Sequence, residues 1–215
     1  MAARKGGSRE RLLDSAEQIF AEKGYDLATT REIVARAGDT LGTLSYHFKT
    51  KEALLVEVLA RRFDEMQEQR RAVYDAFAAK RGGTPDLAET ITAIVTPIMN
   101  LALSKRPGWN DYIVILYRTI YSASEDQERS VTTLIDPIAR ELLGWLRAAT
   151  PASAHVNVSY AYQFIFACML DSSIQAKNDR MKRISDGVAS AADAAALNDR
   201  LVPFLVAGTK AILDI

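Results

Sequence analysis

The stretch from Thr29 to Lys51, TTREIVARAGDTLGTLSYHFKTK, constrains this chain more than any other. It predicts two short helices around a glycine turn. Thr29 can accept a hydrogen bond from a free N–H of the first turn, and Glu32 can reach back to close a capping box. Ile33, Val34 and Ala37 follow at helical spacing and give that helix one apolar face. Gly38 supplies the left-handed backbone that ends it. Thr40 can cap a second helix, with Leu41, Leu44 and Phe48 roughly on one side. Two short helices joined by a tight glycine turn form the helix-turn-helix pattern, whose second helix enters the DNA major groove.

Such a function sits oddly with the charge. The chain of 215 residues carries 27 basic and 27 acidic side chains, a formal net charge of +0. Up to Lys51 the basic residues only slightly outnumber the acidic ones. DNA binding would therefore rest on where a few charges sit rather than on a broad basic field. Hydrophobic residues at 48% and charged residues at 25% are ordinary values for a soluble globular protein. The single cysteine, Cys168, rules out an intramolecular disulfide and fits a reducing compartment. The first ten residues hold charge but no apolar run, and the longest apolar stretch, near Tyr160 to Leu170, is too short for a bilayer. A cytoplasmic protein without membrane association is expected.

Around the opening stretch the pattern is helical throughout. Residues Met1 to Gly7 read as a basic arm, either a solvated tail or a phosphate or minor-groove contact. Ser8 to Lys23 places Leu12, Leu13, Ala16, Ile19 and Phe20 on one stripe, with Gly24 as the stop. After Lys51 a long helix is expected from about Glu52 to Ala79, too long for a small headpiece and so a physical link to a second core. Thr84 and Pro85 then read as the N-cap and first position of a helix running from Asp86 to Lys105, which Pro97 interrupts. Further helices are expected over Trp109 to Tyr121, Gln127 to Ala149, His155 to Lys177 and Leu197 to Ile215, with Asn178 to Ala196 a mobile connection. The fold class is all-α, about nine helices, with a helix-turn-helix domain over residues 1–51 and a helical effector-binding and dimerisation domain over residues 52–215.

The N-terminal quarter also resembles the DNA-binding domain of the TetR (tetracycline-repressor) family of bacterial regulators. The matching features are Phe20 with Gly24-Tyr25, Thr29-Thr30-Arg31, Ala37-Gly38, Gly42-Thr43-Leu44, and Tyr46-His47-Phe48 followed by Lys51. The resemblance implies DNA contacts from Thr30, Arg31, Thr40, Leu41, Thr43, Ser45, Tyr46, His47, Lys49 and Lys51. An arginine at position 31 can form two hydrogen bonds with a guanine; alternatively it is a surface arginine paired with Glu32 or Asp26. Thr43 can meet a thymine methyl or a phosphate, Tyr46 and His47 the sugar-phosphate, and Lys49 and Lys51 phosphates. The chain departs from the family pattern at Asp39, where an apolar residue normally follows the turn glycine, and at Ser45. Asp39 is expected to cap the recognition helix instead.

Over the rest of the chain the resemblance is one of architecture. It implies helices enclosing a ligand pocket and a dimer interface formed by the last two. The pocket candidates are Phe63, Met66, Ile98, Met99, Trp109, Tyr112, Leu116, Tyr117, Phe164 and Cys168, with Asn100 as a polar contact; aromatics at helical spacing are equally plain core residues. Their composition suggests an apolar or aromatic effector. The interface candidates are Ala161, Ile165, Leu201, Phe204, Leu205, Gly208 and Ile212. The expected activity is that of a homodimeric repressor released from a near-palindromic double-stranded DNA operator by a small molecule. No cofactor or metal is expected. An enzyme is the weaker reading, because the chain has two histidines, one cysteine, no phosphate-cradling glycine loop and no metal-ligand spacing. A helical interaction protein with weakened DNA binding is the other alternative, raised by Asp39 and Ser45.

Overall fold

The computed structural model describes residues 7–104, 106–122, 125–178 and 180–215; the basic arm expected at the N-terminus thus lies almost wholly outside the described residues. Every regular element among them is helical. In chain order these are α1 (Ser8–Lys23), α2 (Thr30–Ala37), α3 (Leu41–Phe48), α4 (Lys51–Arg81), α5 (Leu87–Ala102), α6 (Trp109–Ser122) and α7 (Glu125–Ala148). A short 3-10 turn (Ala152–Ala154), α8 (His155–Asn178), α9 (Arg180–Ile184) and α10 (Ala194–Leu213) follow.

The described residues fall into two compact units. One comprises Met1–Phe63 and Asp111–Ile135, the other Asp64–Asn110 and Asp136–Ile215. Helix α4 has 31 residues, about 46 Å of rise, and runs from the first unit into the second.

In the first unit, α1 packs on α2 and α3. The α1 stripe Leu12, Leu13, Ala16, Ile19 and Phe20 is buried together with Ile33, Val34, Ala37, Leu44 and Phe48. Each large side chain of this set stabilises the fold by roughly 1.5–3 kcal/mol through loss of apolar surface to water. The first half of α4 adds Leu54, Leu55, Val58 and Leu59 to the buried residues.

In the second unit, α5, α8 and α10 pack on one another. Helix α5 starts differently from the sequence expectation. Asp86, not Thr84, is the N-cap: its carboxylate accepts from Glu89 N–H, and Glu89 accepts from Asp86 N–H, both at 2.9 Å. An aspartate with a glutamate three residues on satisfies two free donors reciprocally, which Thr84, with Leu87 three residues on, cannot do. Pro97 lies inside α5 as the sequence suggests; Pro137 inside α7 and Pro203 inside α10 are two further such interruptions. The connection after Asn178 contains α9, and α10 begins three residues before the expected Leu197, capped by Asp193.

The two faces of α8 are exchanged relative to expectation. Ala161 and Ile165, assigned to an interface, are buried in the chain's own core, while Phe164, assigned to the pocket, is 52% exposed and Tyr160 60% exposed. Residues one step apart on a helix differ by about 100° in direction, and a helix apolar on two sides does not reveal from spacing alone which side its own chain covers. The same correction applies on α10. Leu201 and Leu205 are buried and Ile212 is half-buried, whereas Phe204, 66% exposed, and Gly208 face outward. Asn100 is likewise on the surface, its side-chain oxygen accepting from Asn198 at 2.9 Å.

Candidate nucleic-acid interface

The helix-turn-helix forms as its residues dictate. Thr29 Oγ1 accepts from Glu32 N–H at 3.2 Å and Thr29 N–H donates to Glu32 at 3.1 Å, completing the capping box of α2. Gly38 takes φ 64°, ψ 43°, and its N–H returns to the last α2 carbonyls. Thr40 Oγ1 accepts from Thr43 N–H at 3.2 Å and starts α3. Leu44 and Phe48 anchor α3 inward, so Leu41, Gly42, Ser45 and Tyr46 are turned to solvent.

Asp39 does not cap α3. Its carboxylate accepts from Ser8 Oγ, from Arg11 Nη2 at 2.9 Å and from Thr40 N–H at 3.0 Å. Arg11 also donates to Ala37 O at 3.3 Å. The acidic residue thus ties the start of α1 to the turn, and its negative charge is met by Arg11. Hydrogen bonds from Ser8, then Thr43 and the Thr40 N–H, hold its carboxyl at about 2.

The charges are distributed sparingly. Arg9 pairs with Glu57 at 2.8 Å, Arg36 holds Glu22 through two bonds of 2.7 and 2.8 Å, and Lys23 pairs with Glu32. Arg62 grips Glu17 at 2.9 and 3.2 Å, and Arg61 pairs with Asp14 at 2.6 Å. Among the described residues up to Lys51, Arg31 and Lys49 are the basic side chains that no carboxylate or aromatic ring holds. Both are exposed. The alternative of Arg31 paired with Glu32 or Asp26 is not what forms, because Glu32 is taken by Lys23 and Thr29.

The remaining candidates sort by position. Tyr46 is 83% exposed and packs edge-on against the half-buried His47 ring at 5.1 Å, which in turn meets Phe48. Thr30 and Thr43 are half-buried, and the Thr43 hydroxyl lies 3.0 Å from that of Thr40. Lys49 stands at the end of α3 with φ 48°, its N–H donating to Ser45 O. Lys51 differs from Lys49. Its ammonium lies 4.1 Å from the Tyr25 ring centre, and burial pushes its pKa down against the charges of Asp26 and Glu52. Lys51 reaches a phosphate only by leaving that ring.

Of the effector-domain candidates, Phe63, Tyr112 and Leu116 are buried in the first unit, where Tyr117 is half-buried. Met66, Ile98, Met99 and Trp109 are buried in the second, where Met99 Sδ accepts from Ser173 Oγ at 3.2 Å. Cys168 is half-buried, and burial, with Asp171 nearby, pushes its thiol up.

Sequence reasoning misses two features. Arg118, on α6, donates to Ala21 O at 2.8 Å and Phe20 O at 3.3 Å, carbonyls of the last turn of α1. A cation at a helix C-terminus meets its free carbonyls and its dipole. A cavity of ≈ 330 Å³ beside it is lined by Phe20, Tyr25, Ile115 and Thr119. The signal is an arginine following the apolar run Tyr112–Tyr117 in the same helix. The second feature is the buried pair Gln67 and Arg70, at i and i+3 on the stripe that Phe63 and Met66 begin.

The fold and this face define a helix-turn-helix DNA-binding transcriptional regulator. Residues 12–58 match the profile described as bacterial regulatory proteins, tetR family, and residues 92–208, more than half of the chain, match the tetracyclin repressor-like C-terminal domain. The chain is 35% identical to the transcriptional repressor KstR of Mycolicibacterium smegmatis, over 70% of this chain and 84% of that one. It is 41% identical to the regulator QacR of Staphylococcus aureus over 28% of this chain; that match spans only 32% of QacR. The regulator FadR of Bacillus subtilis, solved in complex with stearoyl-CoA, shares the fold at a TM-score of 0.62 and 16% identity, over 93% of this chain and 98% of FadR. The chain belongs to the TetR family of transcriptional regulators.

Proposed function

We propose that the protein is a homodimeric repressor that leaves a near-palindromic operator when an apolar small molecule binds its second unit. The observation that carries this reading is the outer face of the helix-turn-helix. There Leu41, Ser45 and Tyr46 stand in solvent on α3, which Leu44 and Phe48 anchor, and Arg31 stands in solvent on α2 with no carboxylate holding it. Side chains so exposed on a recognition helix meet base edges and sugar-phosphate without rearranging the core.

Arg31 reads a guanine, Leu41 and Thr43 meet thymine methyls or phosphate, and Tyr46, His47 and Lys49 contact the backbone. Asp39, neutralised by Arg11, does not repel DNA, which removes one ground for the reading without DNA binding. Two copies join through the outward faces of α8 and α10, where Val156, Tyr160, Phe164 and Phe204 are exposed large apolar residues. Ala207, Gly208 and Ala211, also exposed, let the partner helix approach closely. The dimer presents its recognition helices ~34–36 Å apart or a multiple of this. The effector lies among Met66, Ile98, Met99 and Trp109, whose apolar character matches an apolar ligand. The stearoyl chain of the stearoyl-CoA bound by FadR is likewise apolar. The effector releases DNA because it binds one of two states more tightly, with Arg118 the hinge between α6 and the α1 terminus.

Fluorescence anisotropy with promoter-proximal DNA and a scrambled duplex tests the reading. Tighter binding to the promoter fragment is expected, with affinity for both duplexes falling as salt is added; equal affinity for both duplexes would sink it.

A further inference from the structure

We infer that Asp39 is a positioning residue of DNA recognition, holding the base-reading end of α3 in place through α1. This rests on the reading that the outer face of α3 meets base edges. It assigns control of that face to a carboxylate whose side chain is only 9% exposed. The apolar anchors of α3 are unevenly placed. No buried side chain precedes Leu44: Leu41 is 44% exposed, Gly42 is exposed and Thr43 is half-buried. Yet a recognition helix meets base edges with its N-terminal residues. Apolar contact at Leu44 and Phe48 is non-directional, so it holds the helix without fixing where its first turn points.

The directional bonds at that end converge on Asp39. Its Oδ1 accepts from Thr40 N–H, at the N-cap of α3, at 3.0 Å. Its Oδ2 accepts from Ser8 Oγ and, at 2.9 Å, from Arg11 Nη2, both in the first turn of α1. Arg11 Nε also donates to Ala37 O at 3.3 Å, so the end of α2 enters the same joint. Bonds between a guanidinium and a carboxylate are charge-assisted, and so among the stronger and more directional ones. Their support is firm, because Leu12, Leu13 and Ala16 directly below them on α1 are buried. An apolar residue at position 39, as the family pattern has, accepts from none of these donors. The carboxylate is also the right charge for the start of α3, where the helix dipole is positive. Arg31 stands at the opposite end of α2, which the Thr29–Glu32 capping box fixes, so it serves as an internal control.

Asp39→Ala, Asp39→Asn and Arg11→Met in the full chain test this. Binding-site selection, and anisotropy with the selected and a scrambled duplex, are run beside amide hydrogen exchange of the DNA-free protein. Asp39→Ala is expected to weaken the selected duplex by about tenfold or more and to leave the scrambled one within about twofold. Base preference should flatten under Leu41 and Thr43 while the guanine preference of Arg31 remains. Without DNA, the Thr43 and Leu44 amides, which donate to Thr40 Oγ1 and Thr40 O, should exchange about tenfold faster or more, with α1 amides unchanged. Asp39→Asn, whose NH2 cannot accept from Ser8 or Arg11, should show the same pattern more weakly. Arg11→Met should reproduce it, and the double variant Asp39→Ala/Arg11→Met should be within about twofold of either single one, since both break one joint. Unchanged base preference or unchanged exchange at Thr43 and Leu44 would overturn the inference. Equal losses on both duplexes with faster exchange across α1 would overturn it too, leaving Asp39 a role in stability alone. A wild type without sequence preference would end the operator reading, and exchange at Thr43 and Leu44 would still decide whether Asp39 holds the start of α3.

Discussion

Arg31 and Lys49 are two cations left free for DNA, and they are not equivalent. Arg31 stands in the first turn of α2, where a planar guanidinium can take two acceptors of one guanine. Lys49 stands past the end of α3 as a point charge. Arg31→Ala is expected to cost about 1–3 kcal/mol on the preferred sequence and to flatten base preference at one position. Lys49→Ala should weaken every sequence alike and lower the salt slope; a binding-site selection with each variant distinguishes these results. Two carboxylates carry a pH dependence of stability. Glu32 is held at about 2 by Lys23 first, then by the Thr29 hydroxyl and N–H; Asp39 is held at about 2 chiefly by Ser8. Both are depressed from ordinary values of 4.5 and 3.8. Their stabilisation is therefore complete above about pH 4.5 and lost as pH falls towards about 2. Unfolding followed between pH 7 and 2 should show that loss, with Asp39→Asn diminishing it.

Helices report how much of this molecule its residues announce. The capping box of α2, the left-handed Gly38 and the Thr40 cap of α3 are legible because each is a local bond between neighbours. The inward stripe of α1 is equally plain, since only one of its sides is apolar. Helix α8 is different: both Tyr160–Phe164 and Ala161–Ile165 are apolar, and which pair is buried depends on α5 and α10, far away in sequence. The role of Asp39 hinges on Ser8 and Arg11, about thirty residues upstream, and that of Arg118 on carbonyls nearly a hundred residues away. Contacts at such separation leave no periodic trace. Arg118 also belongs to an element-scale expectation. Arg118→Ala removes the tie between α6 and the α1 terminus, so operator affinity should stay within a fewfold of wild type while effector-driven release is blunted. Paired anisotropy titrations with and without effector measure both; release unchanged in the variant would assign Arg118 to stability alone.

At the scale of the whole molecule, near-neutral charge and outward apolar faces point the same way. A headpiece with few free cations gains affinity from a second copy, and α8 and α10 keep aromatic side chains in solvent that a second copy would cover. Phe204→Glu is expected to yield monomers in analytical ultracentrifugation and to weaken operator binding by tenfold or more while α2 and α3 remain folded. The dimer should also show a shallow salt response. Among the described headpiece residues, the two cations that no carboxylate or ring holds give four per dimer, a slope of log K against log salt of about −4, against about −5 to −9 for six to ten phosphate contacts. The central claim, that α2 and α3 read DNA sequence as a symmetric pair, is tested most directly by selection from a randomised duplex library with the wild-type protein. The account predicts enrichment of an inverted repeat with a guanine at matching places in both halves, centred about one helical turn or a multiple apart. Enrichment of no motif, or of a single unrepeated half-site, would contradict it.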